Sequence, residues 1–278
     1  MTHLTINGAR LRYQMSGPDD APLIVVLHGG RGIGDHRTEF GAFRPLADRF
    51  RLVGFDQRGC GQSSLTPPFT FAQLADDVEA VRQTIAGDAP MILIGGSFGG
   101  MIALTYALRY PTGLSHLILR GTAPSHDQER EAIANFKARL NKAPNASIGM
   151  IDKLFSDQVQ DDIELQLIWF ALQPLYFERF DPDAALESTR RLSCHAETHN
   201  ALYRNKDQYD VRARLGEIEV PTLVIVGSED WICPPSQSIE IADGVANAEL
   251  FVVEGCNHAV HLEANDAVLA RIRAFLGI

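Results

Sequence analysis

Short runs of aliphatic residues alternate with amphipathic stretches along most of this chain. That alternation predicts helices wound onto a largely parallel sheet. The clearest run is Leu23-Ile24-Val25-Val26-Leu27, five apolar residues in a row, as expected of a strand buried on both faces. Comparable runs predict buried strands at residues 51–55, 91–94, 114–119, 222–226 and 250–253. Between them, helical periodicity predicts helices over residues 70–85, 98–109, 236–245 and 265–275. At the N-terminal end, Asn7-Gly8 separates two alternating segments within residues 4–14 and predicts a β-hairpin.

The strand signal is interrupted once. From about residue 124 to residue 215 the chain becomes helical, charged and aromatic, as in Ile163-Glu164-Leu165-Gln166-Leu167-Ile168-Trp169-Phe170. A structureless loop of that length is uncommon in a compact domain. The expectation is therefore a core domain made of residues 1–123 and 216–278, with residues 124–215 inserted as a helical cap over the strand ends.

Composition narrows the class without changing this outline. The 278 residues are 45% hydrophobic and 22% charged, the balance of a globular protein. A formal charge of −10 argues against nucleic acid or an anionic membrane as a partner. The first ten residues lack the basic and apolar regions of a secretory signal, and no apolar run reaches the length of a membrane span. The four cysteines form no C-x-x-C pair, so neither a zinc site nor a disulfide framework is expected. The reading is a reduced, cytoplasmic protein with no metal and no organic cofactor.

Chemistry concentrates where predicted strands end. Ile92-Leu93-Ile94-Gly95-Gly96-Ser97-Phe98-Gly99-Gly100 runs from a strand through G-x-S-x-G into a helix, the grammar of a strained turn that projects a nucleophilic serine. The helix N-terminus favours the negative charge that develops there. An oxyanion hole needs backbone N–H groups aimed at the same point. Phe98 is expected to supply one. The loop His28-Gly29-Gly30-Arg31-Gly32, just past the first buried strand, is expected to supply the other, from Gly30 first and Gly29 second.

Serine needs a base, and the base an orienting acid. Val226-Gly227-Ser228-Glu229-Asp230 places acids past one buried strand, and Val253-Glu254-Gly255-Cys256-Asn257-His258 places a histidine past the next. The order serine, acid, histidine is the one this architecture uses. Among nine histidines, His258 has the right strand, order and partner. Asp230 is the expected acid, with Glu229 its rival. His28 is expected to support the oxyanion loop, and Asp56 and Arg58 to knit the loop beside the serine.

At these residues the chain resembles the proline iminopeptidase branch of the α/β-hydrolase superfamily. The resemblance rests on the H-G-G-x-G loop at residues 28–32, on Asp56-Gln57-Arg58-Gly59-Cys60-Gly61-Gln62-Ser63, on the G-G-S-x-G-G elbow at residues 95–100, and on the acid loop at residues 227–234. It covers residues 20–120 and 220–278. One departure is Arg31, which stands where the family has proline. The resemblance implies an α/β-hydrolase fold and cleavage of a small amide or short peptide with an N-terminal proline or small apolar residue. It also implies carboxylates that capture a free amino terminus. The nearest candidates for substrate binding are Glu197 in the insert and Glu229 and Trp231 beside the acid. Two other readings stay open: a carboxylesterase or lactonase acting on a small neutral ester, and a slow, receptor-like ligand-binding relative.

Overall fold

The computed structural model describes residues 2–278. Its eight strands are β1 (Thr2–Ile6), β2 (Ala9–Ser16), β3 (Leu23–Leu27), β4 (Arg51–Phe55), β5 (Met91–Gly96), β6 (Leu114–Arg120), β7 (Thr222–Gly227) and β8 (Ala248–Val253). They form one sheet in the order β1-β2-β4-β3-β5-β6-β7-β8, parallel from β4 to β8 and antiparallel at β1 and β2. The first two strands are the expected hairpin. Asn7 and Gly8 both have positive φ, 46° and 78°, as the tight turn favoured between twisted strands requires.

Three helices precede the insert: α1 (Arg37–Phe43), α2 (Phe71–Ala86) and α3 (Phe98–Arg109). The insert between β6 and β7 contributes α4 (Gln128–Ala138), α5 (Ile148–Leu154), α6 (Asp162–Leu172), α7 (Pro182–Arg190) and α8 (Ala196–Arg204). The chain ends with α9 (Pro235–Gly244), α10 (Val260–Glu263) and α11 (Asn265–Phe275). Helix boundaries follow local chemistry. Thr70 belongs outside α2 because its hydroxyl caps the helix, accepting from the Gln73 N–H at 3.2 Å. Pro235 opens α9, where its missing N–H costs nothing.

The sheet separates two apolar layers. Val25, Leu27, Leu93, Leu119 and Val224 face α2, α3 and α9, packing with Leu74, Val78, Ile102 and Ile241. Their neighbours Ile24, Val26, Ile92, Ile118 and Ile225 face the other way, against Phe40 and Phe43 of α1 and Val268 and Ile272 of α11. This is why those strands read as unbroken apolar runs. Each such side chain contributes about 1.5–3 kcal/mol of burial. The run at residues 250–253 departs from expectation. As the last strand, β8 pairs only with β7, and Leu250 stays 38% exposed.

The insert has an apolar core of its own, built from Phe136, Ile151, Leu165, Ile168, Leu172 and Tyr203, into which Ile33 and Trp231 reach from loops at the strand ends. The backbone bridge Ile33–Cys194 ties it to the loop after β3, and the bridge Ser125–Asp210 joins its own two ends. No helix among the described residues is long and apolar enough to cross a membrane.

Candidate active site

The carboxyl ends of β3, β5, β6, β7 and β8 bring the chemistry-bearing loops to one edge of the sheet. Ser97 lies between β5 and α3 at φ 52°, ψ −121°. Among the described non-glycine residues, only Asn7 shares a positive φ. Such a conformation costs on the order of 1–3 kcal/mol. It is held by hydrogen bonds on both sides: the Ser97 N–H donates to the Arg120 carbonyl at 2.8 Å, and the Ser97 carbonyl accepts from Gly100 N–H and the Thr122 hydroxyl. Gly99 permits the close approach of α3 to the end of β3, since a Cβ there would sit 2.5 Å from the Leu27 carbonyl oxygen.

His258 and Asp230 meet at the same edge. The imidazole Nδ1 lies 2.7 Å from Asp230 Oδ2, and both side chains are buried. The other carboxylate oxygen, Oδ1, accepts from the backbone N–H groups of Ile232 and Cys233 at 3.0 and 2.8 Å. An acceptor at Nδ1 requires that nitrogen to carry the proton, which leaves the Nε2 lone pair available as a base. Glu229 points elsewhere: its carboxylate pairs with Arg139 at 3.2 Å. Gly121 keeps the contact open, since a Cβ there would fall 2.9 Å from Asp230 Oδ2.

The loop after β3 lies against the serine. A Cβ on Gly29 would come within 3.1 Å of Ser97 Cβ. The Gly29 N–H reaches Glu39 Oε1 at 3.4 Å, whereas the N–H groups of Gly30 and Phe98 donate to no other described residue. His28 braces this loop: its Nδ1 donates to the Gly29 carbonyl at 2.8 Å, and its Nε2 accepts from Gln57 N–H at 3.3 Å. Beneath it, Arg58 grips Asp77 through two bonds of 2.7 and 2.8 Å. Asp35, His36 and Asp56 crowd together with metal-ligating atoms, but each is already engaged. Asp56 accepts from His36 and Gln62, and Asp35 from Arg37. Burial pushes the Asp56 carboxyl up, and those hydrogen bonds outweigh it and hold it below the usual range. The cluster is a brace for the loop.

Ser97, Gly29, Gly30, Phe98 and His258 all line one cavity of about 680 Å³, within the range of small-molecule sites. Its walls also come from the insert, through Trp169, Gln173, Tyr176 and Tyr203. The three expected substrate-binding residues lie outside this lining. Glu197 is exposed on α8, Glu229 faces Arg139, and Trp231 is buried in the core of the insert. Sequence reasoning did not find Glu39, Arg120 and Tyr176. Arg120 ties the site together, donating to the His258 carbonyl at 2.8 Å and to Glu39 Oε1 at 3.1 Å. The Tyr176 ring meets the His258 ring edge-on at 5.4 Å. A charged residue closing the apolar run Leu117-Ile118-Leu119-Arg120 was the available signal for Arg120.

Two further cavity histidines are buried as neutral groups. Burial brings His199 down to about 4; the hydrogen bond to the Arg31 carbonyl opposes the shift and the Arg31 charge adds to it. Burial, then Arg120 and His258, hold His261 well below its ordinary value. An unfolded histidine titrates near 6.5, so between that pH and the folded value the unfolded chain binds protons that the folded chain refuses. Stability is fully present above about pH 6.5 and falls as pH drops below it. For His199 the expected loss between pH 7 and pH 4.5 is about 2–3 kcal/mol, and His261 adds to the loss in the same direction. Urea titrations at the two pH values check it, and a His261→Phe variant whose loss is no smaller than that of the parent would remove His261 from the account.

This elbow, acid–histidine pair and sheet order define a class. The sequence matches the family described as alpha/beta hydrolase fold over residues 22–265, and the chain belongs to that family, within its proline iminopeptidase-like branch. Proline iminopeptidase PfmaB of Pestalotiopsis fici is 49% identical over 98% of this chain and 97% of its own length. Among solved structures, the enol-lactonase of Burkholderia xenovorans superposes with a TM-score of 0.78 at 23% identity, covering 100% of both chains. An esterase of Exiguobacterium antarcticum superposes at 0.79 with 20% identity, covering 100% of this chain and 99% of its own. The last two share the fold.

Proposed function

We propose that this hydrolase is a serine enzyme that cleaves an amide or ester through an acyl-enzyme, beneath a cap formed by residues 124–215. His258 takes the Ser97 proton as the oxygen attacks the carbonyl. Asp230 fixes the imidazole tautomer and stabilises the imidazolium. The N–H groups of Gly30 and Phe98 receive the oxyanion, with Gly29 as the alternative donor. His258 then protonates the leaving group and activates the water that releases the acid. The observation that carries this reading is the strained Ser97 turn opening into the same cavity as a histidine whose Nδ1 lies 2.7 Å from a buried carboxylate. A fluorophosphonate should label the protein at Ser97 and leave Ser97→Ala unlabelled; an unlabelled parent would defeat the assignment.

Kinship supports a proline iminopeptidase activity, given the 49% identical relative of that name. A specific observation favours a second reading, an esterase or lactonase for substrates without an amino terminus. A buried ammonium needs a carboxylate partner, yet the carboxylates lining the cavity are engaged: Asp35 with Arg37, Glu39 with Arg120, and Asp181 with the first turn of α7. Specificity constants for a prolyl arylamide, its N-acetyl form and a matched short-chain ester separate the two. A peptidase should prefer the free amine over its acetylated form by at least about 10-fold, the worth of one charge-assisted hydrogen bond. Preference for the ester would select the second reading.

A further inference from the structure

Arg31, the residue that replaces proline in the H-G-G-x-G loop, is buried to all but 7% of its surface and lines the cavity. Its guanidinium lies over the Tyr203 ring at 4.4 Å and within 5.6 Å of the Phe98 ring, the side chain that follows Ser97. One carboxylate approaches it: Glu129 Oε1 is 3.4 Å from Nη1, long for a charge-assisted bond. Glu129 holds Lys206 more closely through its other oxygen, at 2.7 Å. One negative group therefore serves two cations, and the cluster keeps a net positive charge. Nη2 has the Met101 sulfur at 3.6 Å, a weak acceptor for a group with five N–H donors to satisfy.

The lining as a whole has the same sign. In a chain of formal charge −10, this wall carries five arginines, Arg31, Arg37, Arg120, Arg179 and Arg191, against the three carboxylates Asp35, Glu39 and Asp181. An ammonium placed here meets a guanidinium that shares its one carboxylate with Lys206, whereas an anionic oxygen finds N–H donors already desolvated and stacked on a ring. The position is also close to the chemistry. The guanidinium lies 5.6 Å from the ring of Phe98, the residue after Ser97, and Arg31 and Ser97 line the same cavity.

Resting on the serine-hydrolase reading above, we infer that Arg31 forms a subsite for an anionic oxygen beside the scissile bond. The substrate class is esters or amides of short acids that carry a second carboxylate. Hydrolysis needs no partner beyond water: the Ser97 Oγ–acyl bond forms as the acyl C–O or C–N bond breaks, the alcohol or amine leaves with the serine proton delivered by His258, water then cleaves the Ser97 ester, and the free carboxylate stays paired with Arg31 until the diacid leaves.

The test compares kcat/KM for ethyl hemiglutarate with that for ethyl butyrate, and measures glutarate as a competitive inhibitor of ester hydrolysis. The parent enzyme should favour the hemiester by at least about 10-fold, and Arg31→Gln should cut both that preference and the affinity for glutarate by a similar factor. Arg31→Lys, which keeps the charge, should retain most of the preference. A parent enzyme indifferent to the second carboxylate, or a preference unchanged in Arg31→Gln, overturns the subsite. Calorimetry of glutarate binding to Ser97→Ala, with and without Arg31→Gln, reads the subsite without turnover. A failure of Ser97 as nucleophile therefore leaves this measurement standing, and absence of binding by Ser97→Ala counts against Arg31 alone.

Discussion

Alanine in place of Ser97 or of His258 is expected to lower turnover by about 10⁴-fold or more, with the double variant hardly worse than either single one. Residues that act as one unit lose their contribution together, so the second deletion removes almost nothing further. The geometry explains the unity. Ser97 has an ordinary alcohol's poor nucleophilicity until a base accepts its proton, and the proposed base is the imidazole whose Nδ1 is held 2.7 Å from Asp230. The proposed oxyanion donors at Gly30 and Phe98 survive in each variant, so a residual rate above the uncatalysed one should remain. Steady-state turnover of the parent, both single variants and the double variant, at protein concentrations fixed by absorbance, provides the check. Folding is not at issue for Ser97→Ala: the hydrogen bonds that hold the turn use the backbone of Ser97. Near-parental turnover by His258→Ala would take that histidine out of the mechanism, and additive losses in the double variant would mean that the two act separately.

Much of this arrangement is legible in the sequence because a buried parallel strand has no solvent face. Leu23–Leu27 and Thr222–Gly227 are covered on both sides by helices, and their unbroken apolar character announces them along with the loops at their carboxyl ends. Ser97, Asp230 and His258 inherit their positions from those strands, and chain order does the rest. Short elements are less visible. The seven residues of α1 and the four of α10 are shorter than the window over which helical periodicity emerges, so Glu39, carried by α1, gave no sign of its place in the cavity. Arg120 stood out as a charge closing an apolar run, but its partners Glu39 and His258 lie 81 and 138 residues away in the chain, which hid its role. Glu197 is different. In α8 the residues Ala196, His199, Leu202 and Tyr203 are buried, a spacing of three and four that puts Glu197 on the outward face. That pattern was available before the structure, and the resemblance to a peptidase outweighed it. Arg31 was visible as a departure from the family's loop, but its stacking on Tyr203 depends on the path of the insert, which periodicity does not determine.

Asp230→Asn should preserve the fold and lower turnover on the order of 10⁴-fold. The native carboxylate accepts three hydrogen bonds: from His258 Nδ1 at Oδ2, and from the Ile232 and Cys233 N–H groups at Oδ1. An asparagine keeps one carbonyl oxygen, and the two backbone donors are fixed by the loop, so that oxygen is expected to turn toward them. The amide NH₂ then faces His258 and presents a donor where an acceptor stood. The imidazole answers by moving its proton to Nε2, where it can no longer take the proton of Ser97, and the developing imidazolium loses its counter-charge as well. Unfolding midpoints should change little, because the asparagine has the same volume and retains a partner for each backbone N–H. Glu229→Gln is the matched control. Its carboxylate is 43% exposed and paired with Arg139, and removing an ion pair of that kind costs about 1 kcal/mol or less of stability, with turnover close to that of the parent. Imidazole proton resonances add a readout specific to the tautomer: the low-field Nδ1–H signal expected of the parent should vanish in Asp230→Asn and persist in Glu229→Gln. If Glu229→Gln proves to be the crippled variant and Asp230→Asn turns over normally, the orienting acid moves by one residue and the 2.7 Å contact loses its catalytic meaning.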